Sequence, residues 1–254
     1  MQFSDFSQLI STQAEWIVLM FSALLIGMSK TGIQGITTIA IPLLAIFFGA
    51  KASTGLILPM LCMADIVAVA YYRRWAEWRY ILKLLPAAVA GFFVAILVDR
   101  FIPPHGFRLL MGACIFAGLA IMLWSERREK SMEKVTGKWW YAPLFGLMGG
   151  FTTMIGNAAG PMLSVYLLSM RIPKMNFVGT SAWFFLAVNY LKLPLQVFVW
   201  HNITAASLAL NLLTVPFILL GAVLGVWFVK KIPERGYRTF IIVVTAASAL
   251  ALLF

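Results

Sequence analysis

The sequence predicts an all-α polytopic membrane protein. Its expected architecture is two inverted repeats, each a Gly-interrupted or re-entrant pair of short helices followed by three spanning helices. Three observations carry this. The 254 residues are 62% hydrophobic and 11% charged, with a mean hydropathy of +0.91, against about 25% charged and 45–50% apolar in soluble domains. Apolar runs recur from end to end with the charges gathered between them, the pattern of serial membrane spans. Finally, the two halves of the chain can be aligned with one another.

Taken in order, the apolar segments of the first half are 16–29, 33–48, 53–72, 80–98 and 107–124. Those of the second half are 139–154, 160–170, 176–191, 203–229 and 237–254. This divides the chain into a first membrane repeat, 1–124, a polar linker, 125–138, and a second membrane repeat, 139–254. A full span needs about 20 apolar residues. Segments 53–72 and 80–98 meet that, whereas 16–29 and 160–170 fall short. The short pieces flank glycine-rich stretches at 27–35 and 149–160. Short, glycine-interrupted apolar segments at corresponding places in two halves point to the binding site of a transporter.

The internal match is specific. "IPPHGFR" at 102–108 corresponds to "IPERGYR" at 232–238, and the same spacing pairs Pro86 with Pro216 and Gly91 with Gly221. Nearer the start of each half, a slightly shorter spacing pairs Gly32 with Gly156, Gly55 with Gly179 and Asp65 with Asn189.

The net charge of +11 falls mostly in short connections, where Lys and Arg orient helices in the bilayer. No basic surface is large enough for a duplex, which argues against nucleic acid. If 73–79 faces the cytoplasm, alternation places Lys30, the linker, Arg171/Lys174 and 230–238 on the same side. The opposite side then holds Asp5, Glu15, Lys51, Asp99/Arg100, Lys192 and a chargeless C-terminus. Both termini are accordingly expected on the periplasmic side. The first cation in the chain is Lys30, so the start lacks the basic region of a signal peptide, and the first apolar run is expected to persist in the mature protein. Cys62 and Cys114 lie inside apolar runs and read as small buried hydrophobes rather than a disulfide. His105 and His201 are far apart, no CxxC or HExxH pattern occurs, and no metal or cofactor is expected.

The chemistry concentrates in "GMSKTGIQG", Gly27 to Gly35. An unpaired cation in hydrocarbon costs at least about 3 kcal/mol. Lys30 either caps a helix end and snorkels to the interface, or sits at a helix break held at depth. Broken backbone at depth must be buried in protein or line a wet cavity. Its freed N–H groups, with the positive end of the next helix, make an anion site. In that reading Lys30 supplies the only fixed charge, while Ser29, Thr31, Gln34 and Thr37 supply donors and Gly32 and Gly35 shape the backbone.

The second break, "GGFTTMIGNAAGP", offers Thr152, Thr153 and Asn157 as polar groups. Gly156 and Gly160 permit either a turn or close helix packing. Asp65 sits in mid-span, and an intramembrane acid is a functional candidate by default. It either pairs with Lys30 and tunes the site's charge, carries a proton, or bridges to an arginine near a helix end. Asn189 is its neutral counterpart. Trp183, Phe184 and Phe185 read as lipid-facing or core. Trp75, Trp78, Trp139, Trp140 and Trp200 read as interfacial anchors.

The stretches "GMSKTGIQGITTIAIPLL" and "GLMGGFTTMIGNAAGPMLSVYLLS", with "KMNFVGTSAWFFLAVNYLKLP", resemble the two repeat motifs of the TauE/SafE (sulfite exporter) family of bacterial membrane transporters. Gly27, Gly32, Gly35 and Pro42 match the first motif; Gly150, Gly156, Gly160, Pro161, Gly179 and Thr180 match the second. The resemblance implies duplicated halves, a bacterial inner-membrane location and transport of small anions, chiefly sulfur oxyanions and organosulfonates, with carboxylates proposed for some members. The expected partners are thus a small inorganic or organic anion and membrane lipid. The sequence reading is a secondary transporter working by alternating access; an anion channel or a carboxylate carrier is the alternative. An intramembrane enzyme ranks last, since one buried acid and no mid-span histidine give no acid–base pair.

Overall fold

In the computed structural model, residues 10–127, 136–233, 236–237, 239–240 and 243 are described. Most of the polar linker, the expected positions of both termini and most of segment 237–254 lie outside these residues. Among the described residues the chain is all helical, without strands. The helices are α1 (Gln13–Thr31), α2 (Thr37–Phe48), α3 (Ala50–Tyr72), α4 (Trp78–Asp99), α5 (Pro104–Arg127), α6 (Tyr141–Gly156), α7 (Gly160–Ser169), α8 (Lys174–Phe198) and α9 (Ala205–Lys231).

Local chemistry sets the boundaries. α1 starts earlier than its apolar run suggests because Thr12 and Glu15 form a capping box: Glu15 N–H donates to Thr12 Oγ1 at 3.3 Å and Thr12 N–H to Glu15 Oε2 at 3.0 Å. At 19 residues α1 is long enough to cross a membrane, as are α3, α4 and α9, so the expected short first helix is corrected to a full-length one. α9 begins on an analogous box at Thr204 and Ser207. α8 is the second correction. It does not stop before Lys192 but runs through that residue and Pro194 to Phe198, so Lys192 belongs to a helix interior and not to a connection.

Polarity is arranged inside out. Ile17, Phe101, Phe198 and Val223 are 68%, 80%, 73% and 67% exposed, while Lys30, Asp65, Asn189, Lys192 and Asn211 are buried. Polar side chains facing a bundle interior and apolar ones facing outward is what a hydrocarbon solvent requires. Cys62 and Cys114 are buried free thiols. Trp75, Trp78, Trp139 and Trp140 are exposed, but Trp200 is buried edge-on against Phe107, 5.6 Å between ring centroids.

The helices of one half pack chiefly on those of the other. α1 lies along α9 and α4 along α6, and glycines set both contacts. A β-carbon at Gly27 would strike the Ile218 carbonyl and one at Gly221 the Leu24 carbonyl. Across the other interface Gly91 meets the Leu147 carbonyl and Gly150 the Ala88 carbonyl. Backbone contact of this closeness drives helix association where no hydrophobic effect operates between helices.

The connections sort into two ends. At one, Lys51 Nζ lies 2.7 Å from Asp99 Oδ2 and Asn202 Nδ2 donates to Thr54 Oγ1 at 2.9 Å. At the other, Asn176 Nδ2 donates to Glu77 Oε1 at 2.9 Å, and Lys174 Nζ caps α9 through the Val229 and Ile232 carbonyls at 3.0 and 2.8 Å. Lys51 with Asp99, and 73–79 with Lys174 and 230–232, are grouped as helix alternation requires.

Candidate functional site

Two helix breaks meet in the protein interior. The first is residues 32–36, between α1 and α2. α1 ends because Gly32 turns the chain, and its N–H returns to the Met28 carbonyl. Gly35 adopts φ +99°, which a residue with a β-carbon resists. The end of a helix leaves carbonyls without partners. Two tyrosines satisfy them: Tyr72 OH donates to Thr31 O and Tyr237 OH to Gly32 O, both at 2.8 Å.

The second break is residues 157–159, between α6 and α7. Asn157 takes the left-handed conformation, φ 54° and ψ 25°, the usual C-terminal stop and one that asparagine tolerates. Its N–H bonds to Thr153 O at 2.9 Å and that of Ala158 to Thr152 O at 3.2 Å. Pro161 then sits in the first turn of α7, where a missing N–H removes no bond.

A cavity of about 40 Å³ lies between the breaks. From the first side Ser29, Lys30, Gln34, Gly35 and Thr37 line it; from the second, Asn157, Ala158, Gly160 and Pro161; Ile41, Leu61 and Phe185 supply its apolar wall. At roughly 10–15 Å³ per water it has room for a few waters or one small oxyanion. Ser164 Oγ donates to Gln34 Oε1 at 3.3 Å and ties α7 to the first break.

Lys30 does not snorkel. It is 8% exposed, with Nζ 2.9 Å from Asp65 Oδ1 and 3.7 Å from the centre of the Phe185 ring. Asp65 is fully buried and accepts from Asn189 Nδ2 at 2.5 Å. Of the partners open to Asp65, the structure selects Lys30 and not an arginine. The aligned residues Asp65 and Asn189 thus touch one another directly. Phe185, expected as lipid-facing or core, is in the core and also covers the lysine.

Lys30 is not the only fixed charge. Lys192, which sequence reasoning assigned to an outer connection, is fully buried. Its Nζ donates to Asn157 Oδ1 at 2.6 Å, Thr153 Oγ1 at 2.8 Å and Thr153 O at 3.1 Å. Asn157 Nδ2 donates to Thr54 O at 3.2 Å, which fixes the amide with its oxygen toward Lys192. The signal in the sequence was the apolar run continuing past Lys192 as "LPLQVFVW".

The remaining candidates divide. Ser29, Gln34, Gly35 and Gly160 line the cavity with Lys30 and Asn157; Thr153 and Asp65 reach a lining residue through one hydrogen bond or ion pair, and Asn189 reaches it through Asp65. Four face elsewhere. Thr31 Oγ1 donates to Gly27 O and, on α9, Ala222 O at 3.0 and 2.9 Å. Gly32 packs against Gly225 and Val229, Gly156 against Met111, and Thr152 Oγ1 bonds back to Met148 O at 2.9 Å.

Asn157 is the most exacting position of the second break, since one side chain joins Lys192, Thr54 and the left-handed turn. Asn157→Leu is expected to lower transport at least about tenfold and to destabilise the turn by about 1–2 kcal/mol. Asn157→Gly, which keeps the turn, is expected to lose transport with a smaller loss of stability. Trp183→Phe is expected to change transport little, because Trp183 packs on Trp78 away from the cavity, 5.0 Å between ring centroids. Tracer uptake into proteoliposomes, with thermal unfolding in parallel, checks all three.

A family model described as Sulfite exporter TauE/SafE matches residues 19–252 of the chain. Neither curated proteins nor solved structures gave a match.

Proposed function

The chain belongs to the TauE/SafE family of membrane transporters, and from that premise we propose that it carries a small anion, sulfite or an organosulfonate first, by alternating access about the cavity between the breaks. The observation that carries this reading is the convergence of both breaks on one cavity with the Lys30 ammonium in its wall. A buried cation beside freed backbone donors suits a compact, multi-oxygen anion. Asp65 holds Lys30 while the site is empty, and the anion competes with the carboxylate for the same ammonium.

The packing of α1 on α9 and of α4 on α6 supports an inverted-repeat reading. If the halves correspond as aligned, α1 matches α6 and α4 matches α9, so the two interfaces exchange under the internal two-fold. Rocking one pair against the other would open the cavity to either face in turn. The location follows as the bacterial inner membrane, with both termini periplasmic. Outward movement of an anion from a negative interior gains about 2.3 kcal/mol per charge per 100 mV, so export needs no further energy source.

The test is a thermal-shift screen of the purified protein against sulfite, methanesulfonate and small carboxylates, followed by counterflow in proteoliposomes. A ligand of the folded state raises apparent stability by mass action. Stabilisation by a sulfur oxyanion and acceleration of tracer entry by trapped unlabelled anion are expected. Stabilisation by carboxylates alone would change the substrate class. Flux without trans-acceleration would replace the carrier by a channel.

A further inference from the structure

Among the described residues the buried charged side chains are Lys30, Asp65 and Lys192. Lys30 and Asp65 neutralise one another at 2.9 Å. No carboxylate of the described residues pairs with Lys192. Its three contacts are a backbone carbonyl, a hydroxyl and an amide oxygen, which together satisfy the three N–H donors of an ammonium. The hydrogen bonding is complete but the charge is not balanced. A buried amine without a carboxylate stays an ammonium only where an anion supplies the countercharge, and otherwise sheds its proton. Its one side-chain link to the cavity is Asn157, which lines the wall.

We infer that Lys192 is the second cation of the site and that the transported anion is its countercharge, so the site selects solutes of a single negative charge over dianions. This rests on the anion-carrier reading and deepens it. With both lysines protonated and Asp65 ionised, the buried groups of the described residues carry one positive charge in excess, and a monoanion in the cavity makes the site neutral. Sulfonates and hydrogen sulfite fit; sulfate would invert the imbalance and leave a buried negative charge. The two lysines divide the work. Lys30 contacts the anion, and Lys192 acts through Asn157 as a positioning and charge-setting residue.

The test uses the full chain in detergent, with methanesulfonate as the monoanion and sulfate as the dianion, at one pH and ionic strength. Wild type is expected to bind methanesulfonate at least about tenfold more tightly than sulfate. Lys192→Met, whose interior is neutral when empty, is expected to lose methanesulfonate affinity by more than about tenfold. Adding Asp65→Asn to Lys192→Met restores one excess positive charge and is expected to recover methanesulfonate binding. Asp65→Asn alone, with two excess charges, is expected to turn the preference toward sulfate. A merely structural role for Lys192 would not reverse a charge preference.

Equal or tighter binding of sulfate by wild type overturns the inference, as does undiminished methanesulfonate binding by Lys192→Met or failure of the folded double variant to recover it. If a single variant does not fold, the wild-type preference decides alone: equal or tighter binding of sulfate overturns the inference. Wild type binding neither anion overturns the sulfur-oxyanion reading as well, whereas binding without charge selection overturns only this inference.

Discussion

Replacing Lys30 by methionine is expected to abolish anion binding, and the loss should persist after stability is restored. The single change has two consequences. It removes the ammonium from the cavity wall, and it leaves the fully buried Asp65 with only the Asn189 amide at 2.5 Å. Breaking a buried pair from one side costs about 3–5 kcal/mol, so Lys30→Met alone confounds binding with folding. Asp65→Asn in the same chain removes the stranded carboxylate. The double variant is expected to unfold near the wild-type temperature and to bind a sulfur oxyanion at least about thirtyfold more weakly, the equivalent of roughly 2 kcal/mol. Isothermal titration of both variants beside wild type checks this. Retained affinity in the folded double variant would show that Lys30 does not touch the substrate.

The largest effect on folding is expected at Gly150. A β-carbon there would lie 2.7 Å from the Ala88 Cα and closer still to its carbonyl oxygen. These are backbone atoms of α4, with no side chain to rotate away, so α6 must move off α4. Gly150→Ala is expected to cost about 3 kcal/mol or more, seen as a lost or strongly lowered unfolding transition and aggregation on size exclusion. Gly112 in α5 is the contrast. A β-carbon there meets nothing within 4 Å, so Gly112→Ala is expected to hold or raise stability by about 0.5–1 kcal/mol. Equal behaviour of the two variants would contradict the account of helix packing.

Lys30, Asp65 and Asn157 were legible because each is a polar group in a setting where hydrocarbon solvent tolerates none without a partner. The breaks were legible because glycine, asparagine and proline have few other uses between apolar runs. Which way a side chain faces was not. Thr31 and Gly32 adjoin Lys30 in sequence, yet a helical turn carries them to α9, and Thr152 sits beside Thr153 but bonds its own helix. Lys192 was hidden for a different reason. A cation near the end of an apolar run resembles an interfacial residue, and only the fold brings Thr153 and Asn157 to receive it. The aligned pair Asp65 and Asn189 was readable as an equivalence, and their direct contact became visible only when α3 and α8 packed together. The length of α1 was underestimated because its capping box lies in polar residues ahead of the apolar run.

The central claim is that the anion sits between the two helix breaks. Hydrogen selenite has the charge and geometry of hydrogen sulfite and carries an anomalous scatterer. Crystals grown with it and measured at the selenium edge are expected to show a peak in the cavity within hydrogen-bonding distance of Lys30 Nζ, on the side facing Asn157 and Gly160. A selenium peak elsewhere in the protein, with this cavity empty in a ligand-bound and transport-competent sample, would contradict the account.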